Sequence, residues 1–172
     1  MLEPFNRSGI VSLKKLELRE AVMKRFLIVA GAAALAGSAL AQDAAKRIKP
    51  DDVAFKPNPL LKGMETAVLI GDPSKPEVTV VRNKIPPNFK VAPHTHPHAE
   101  VVTVLSGSLG FGLGDAFDPA KGEVLKAGGI NVVPAKQSHF VWTGSEEAVI
   151  QVQYTGPTAV DFINPADDPR KK

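Results

Sequence analysis

Cysteine is absent from the chain, which excludes disulfides, thiolate metal sites and a cysteine nucleophile at once. Histidine is almost as scarce, with four in 172 residues, so an imidazole site must draw on nearly all of them. A long apolar run is missing as well. The nearest approach, Phe26 to Leu35, is rich in glycine and alanine and is broken at Gly37-Ser38. A membrane span needs roughly 20 strongly apolar residues. Net charge is the last absence, and it shows only once the amino terminus is understood.

Met23-Lys24-Arg25 gives a positive start, the apolar run follows, and Ala39-Leu40-Ala41 supplies a small-x-small cleavage site before Gln42. This is the pattern of a secretory signal peptide over residues 23–41, which implies a periplasmic or secreted protein with no stable membrane span after cleavage. Residues 1–22 stand in front of a complete signal, and translation from Met23 is the simplest reading. Residues 1–41 hold six of the 21 basic and three of the 18 acidic residues, which leaves 15 of each. The formal charge of +3 therefore belongs to the leader. The neutral remainder has no basic stripe with interleaved aromatics of the kind that binds nucleic acid.

What is present points to a single β domain. The chain is 44% hydrophobic, enough for one real core, and its 14 glycines and 15 prolines suit short strands with frequent turns better than helices. Residues 42–62 are polar and punctuated by Pro50, Pro57 and Pro59, which predicts an arm ahead of a domain over 63–172. Alternation and turn clusters predict strands at 66–70, 78–82, 101–105, 108–113, 123–125, 130–133, 140–143 and 148–154, with a further edge strand near 160–164.

The organising stretch is Pro93-His94-Thr95-His96-Pro97-His98-Ala99-Glu100. Side chains two apart on a strand share a face, so His94 and His96 can converge, and Glu100, an even number further on, can join them on one strand. Two imidazoles and a carboxylate suit a borderline divalent metal with open positions. Pro97 cannot donate to a ladder, so strict alternation is expected to fail between His96 and Glu100 and to leave His98 at the pocket mouth or on the surface. The one remaining histidine, His139, follows a proline turn at Pro134 and opens the next strand.

Together these two segments resemble the motifs of the cupin superfamily. The first, Gly-x5-His-x-His-x3-or-4-Glu-x6-Gly, is met by His94, His96, Glu100 and Gly107, with Asn88 in place of the leading glycine. The second, Gly-x5-Pro-x-Gly-x2-His-x3-Asn, is met by Gly128, Pro134 and His139, with Lys136 at the inner glycine and Thr143 at the asparagine. Residues 55–172 also look like a group of small exported bacterial cupins. The resemblance implies an all-β double-stranded β-helix jelly roll and a metal held by His94, His96, Glu100 and His139. The metal would be a divalent transition ion, whether iron, manganese, nickel, copper or zinc.

Such a site permits three functions on a small-molecule ligand: a dioxygenase, a lyase, isomerase or hydrolase, or a metal-dependent binding protein of the cell envelope. Pocket walls are expected from Val102, Val104, Phe111, Leu113 and Val132, with Gln151, Gln153, Thr143 and Tyr154 as polar groups on interior faces. Val101 to Leu105 reads apolar on both faces. One face would fill the barrel, and a homodimer through the other is one way to cover it.

Overall fold

The computed structural model describes residues 45–171, so the expected signal peptide and the segment before it lie outside the described residues. The strands are β1 (Lys56–Pro57), β2 (Glu65–Ile70), β3 (Val78–Ile85), β4 (Lys90–Thr95), β5 (Glu100–Ser106), β6 (Ser108–Leu113), β7 (Glu123–Lys126), β8 (Ile130–Val133), β9 (His139–Trp142), β10 (Ala148–Thr155) and β11 (Asp161–Phe162). They form a six-stranded sheet, in the order β1-β2-β3-β10-β5-β8, and a five-stranded sheet, in the order β11-β4-β9-β6-β7. The strand pairs are antiparallel. This is the expected all-β jelly roll.

The period-2 pattern decides which side chains meet between the sheets. On β10, Ile150, Val152 and Tyr154 are buried while Gln153 and Thr155 are exposed. The interior therefore takes the apolar set and the glutamines face out. Gln151 is consequently not a pocket residue: on the outer face its Oε1 accepts a hydrogen bond from Arg82 Nη2 at 3.1 Å. The same rule corrects two expected walls, since Leu113 and Val132 are 59% and 63% exposed. Val104 is buried in the core and does not line the cavity.

Outside the six-stranded sheet, Ala67, Leu69 and Val80 are covered by Ile48, Val53 and Phe55 of the amino-terminal arm. Further along that outer face Ile130 and Val132 stay exposed. On the five-stranded sheet, Gly110 and Gly112 lie opposite Trp142 and Phe140. A Cβ at either glycine would overlap the facing ring, so the missing side chains make room for the aromatic ones.

Candidate metal centre

Strand pairing assembles the site from both sheets. His94 on β4 and His139, the first residue of β9, are directly paired across the five-stranded sheet, and their ring centroids lie 4.2 Å apart. His96 follows just after β4, with its ring 4.9 Å from that of His94 and 5.3 Å from that of His139. One nitrogen from each ring falls within 4.8 Å of the others, which brings all three within reach of a single ion.

Glu100 is placed differently from the expectation of a shared strand. Residues 96–99 carry no ladder pairing, consistent with the missing N–H of Pro97, and the chain crosses there to the other sheet, where Glu100 opens β5. Its carboxylate approaches His96 Nδ1 at 3.5 Å and lines the same cavity, but it is not in the group of converging donor atoms. His98 is exposed.

Backbone acceptors fix the ring tautomers. His94 Nδ1 donates to Ala92 O at 2.8 Å, His96 Nδ1 to Ala159 O at 2.7 Å and His139 Nδ1 to Gln137 O at 3.0 Å. A carbonyl brings no proton, so each Nδ1 must carry the hydrogen and each Nε2 keeps its lone pair. At 3.5 Å Glu100 is the weaker partner of His96 Nδ1, whose proton is directed to the Ala159 carbonyl.

Burial acts in the same direction. Desolvation, aided by the neighbouring His139, pushes the His94 pKa down to about 3, desolvation takes His139 to about 4, and His96 is lowered for the same reason. Three neutral imidazoles with free Nε2 atoms fit a borderline divalent metal, and they remain unprotonated at neutral pH without one. Burial raises Glu100 to about 7. Tyr154, its cross-strand partner, is pushed up to about 12 by burial first and by the Glu100 charge second.

The two motif departures have local structural answers. Asn88 and Lys136 both have left-handed backbones, with φ of 55° and 61°. That conformation suits the glycine expected at each position, and asparagine is the side chain that tolerates it best. Lys136 N–H donates to His96 O at 2.8 Å, which ties the turn before His139 to the first motif. Thr143 is not in the pocket. Its hydroxyl donates to Pro86 O at 2.6 Å and accepts from Phe89 N–H at 2.9 Å, so it clamps the turn leading into β4.

The histidines open onto a cavity of about 390 Å³ between the sheets. Val102 and Phe111 are among its lining residues, and Phe111 stacks on His139 with ring centroids 5.3 Å apart. No lysine, arginine or aspartate is among its lining residues. Sequence reasoning missed Asn58, Thr66 and Asn83 in the wall. Asn83 was detectable, because it sits between Val81 and Ile85 on one face of a strand, whereas Asn58 belongs to the irregular arm, which has no period to read.

No protein-family model matches the sequence, and no curated protein matches it. Solved structures do. The polyketide cyclase RemF from Streptomyces resistomycificus is 23% identical, with a TM-score of 0.62 over 74% of this chain and 92% of that one. An RmlC-like cupin from Shewanella frigidimarina is 16% identical, with a TM-score of 0.52 over 65% and 91%. An oxalate oxidase is 21% identical, with a TM-score of 0.52 over 72% and 67%. With its two antiparallel sheets and three histidines converging between them, the chain has the cupin jelly-roll fold of these structures.

Proposed function

We propose that the protein is a metal-dependent enzyme that acts on a neutral, largely apolar small molecule, and that the reaction is a dioxygenation. The observation that carries this reading is the set of three free Nε2 atoms at the wall of an apolar cavity with no cationic side chain. His94, His96 and His139 would hold the metal, with Glu100 as the fourth ligand. A bound first-row metal supplies the Lewis acidity and redox capacity that side chains lack.

The protein's own contribution is binding, orientation and exclusion of water. Val102, Phe111, Val141 and Val152 offer the ligand an apolar wall, and a dry wall strengthens electrostatic interactions at the donor set. A dioxygenation suits a site poor in other reactive groups, since both atoms of dioxygen enter the product and the organic molecule supplies the electrons. The similar structures include a polyketide cyclase and an oxalate oxidase, so fold does not select the reaction. Oxalate is a dianion; with no lysine or arginine in the wall, the metal would be the cavity's one cationic group, and a ligand that carries no second charge away from it suits this wall better.

Oxygen uptake by iron-, manganese-, nickel- or copper-loaded protein with phenolic substrates tests the reaction. Uptake that disappears in His139→Ala supports it. Turnover without oxygen would establish a lyase or isomerase, for which the buried Glu100 is the nearest proton carrier. Saturable binding without turnover would leave a binding protein. We further propose export with cleavage near Ala41/Gln42, on the signal pattern, and a homodimer through the exposed outer face that carries Ile130 and Val132.

A further inference from the structure

The cavity has a second polar group, set apart from the histidines. Asn58, Thr66 and Asn83 all line it and form one directed hydrogen-bond chain. Leu60 and Leu61 N–H groups donate to Asn58 Oδ1 at 2.9 and 2.7 Å, so that atom is the amide oxygen. Asn58 Nδ2 therefore donates to Thr66 Oγ1, at 2.8 Å, and the Thr66 hydroxyl passes its proton on to Asn83 Oδ1 at 2.7 Å. This sequence of donors leaves Asn83 with its Nδ2 group unspent, and no hydrogen bond among the described residues engages it. Nor is it sealed in. Among the described residues the fully enclosed side-chain polar atoms without partners are Arg82 Nε and Asn131 Nδ2, so the Asn83 amide is not fully enclosed, and its residue lines the cavity.

Register gives the spacing. Glu100 pairs with Tyr154, and Tyr154 pairs with Thr79. Asn83 lies four residues beyond Thr79 on β3, which is about 13 Å along the strand direction. The cavity wall between is apolar, with Val81, Val152 and Ile150 among its members.

We propose that Asn83 is a specificity residue whose fixed amide N–H group donates to an acceptor oxygen at the far end of the ligand. The ligand is thus a neutral, elongated apolar molecule, aromatic or alicyclic, with one oxygen directed to the histidine end and a carbonyl or ether oxygen at the other. This rests on the cavity being the ligand site, as in the function proposed above, but not on the reaction.

The test compares binding of two isosteric probes, 6-acetyl-2-naphthol and 6-isopropyl-2-naphthol, to metal-loaded full chain by fluorescence titration. They differ in whether the far group can accept a hydrogen bond. Wild-type protein is expected to prefer the acetyl probe by about three- to tenfold, the effect of one hydrogen bond. Asn83→Leu should abolish the preference while retaining the isopropyl probe, and Thr66→Val, which frees the Asn83 amide to turn, should reduce it. Equal affinity of wild-type protein for the two probes would overturn this inference alone. No binding of either probe would overturn the cavity as ligand site, and this inference with it. Should Asn83→Leu fail to fold, the wild-type comparison still decides.

Discussion

At the scale of single residues, the convergence of His94 and His96 was legible because their spacing is fixed by strand geometry, and the surrounding turns were not. Lys136 looked like a defect in a motif, whereas its φ of 61° shows the glycine conformation kept by a residue ill suited to it. A left-handed backbone costs an ordinary residue about 1–2 kcal/mol, partly offset by the greater entropy glycine loses on folding. Lys136→Gly should therefore stabilise the protein by up to about 1 kcal/mol, seen as a higher urea midpoint with an unchanged slope. A lower midpoint would mean that the lysine side chain contributes more than the backbone loses. The acid–base state of the site gives a second prediction. Burial holds the Glu100 proton up to about pH 7, while His94 and His139, lowered to about 3 and 4, carry none above about pH 5. Metal binding that uses Glu100 must expel its proton below pH 7. Affinity should thus rise by up to about tenfold per unit from pH 5 to 7 and then level off, and Glu100→Gln should be flat over the same range. A flat wild-type profile would place Glu100 outside the metal's ligands.

At the scale of elements, alternation located the strands but not always the faces. β10 alternates clearly, yet the pattern alone does not say whether Gln151 or Ile150 points inward; the apolar interior decides it. Likewise the even spacing from His94 to Glu100 suggested one strand. The structure uses two, because a proline that cannot pair lets the chain change sheets. Glycine positions were easier to notice than to interpret. Gly110 makes room for the ring of Trp142, and Gly110→Ala should destabilise the protein by about 1–3 kcal/mol through overpacking against that ring. Thr143→Val should cost a similar amount, about 1–3 kcal/mol, by leaving Phe89 N–H and Pro86 O without their partner. Both variants should keep wild-type metal content, measured on the folded fraction. Metal loss in Thr143→Val would give that side chain a role in the site that its contacts do not contain.

At the scale of the whole molecule, architecture was the most legible feature, since many short strands punctuated by glycine and proline allow few other arrangements. The second polar group of the cavity was the least legible as a group: alternation exposes Asn83 alone, whereas its meeting with Thr66 and with Asn58 of the irregular arm depends on a pairing that no local pattern announces. Export is tested on protein recovered from the cell envelope, where the mature chain should begin near Gln42; an amino terminus at residue 1 or 23 would refute it. The central claim is that three neutral imidazoles, each tied through Nδ1 to a backbone carbonyl, hold one divalent ion. Metal content per chain of protein purified from its native compartment tests it most directly, alongside the His96→Ala, His139→Ala and His98→Ala variants. About one ion per chain in the wild type and in His98→Ala, with most of it gone in the other two, is the expected result. A wild-type protein without stoichiometric metal, or full loss in His98→Ala, would refute the assignment.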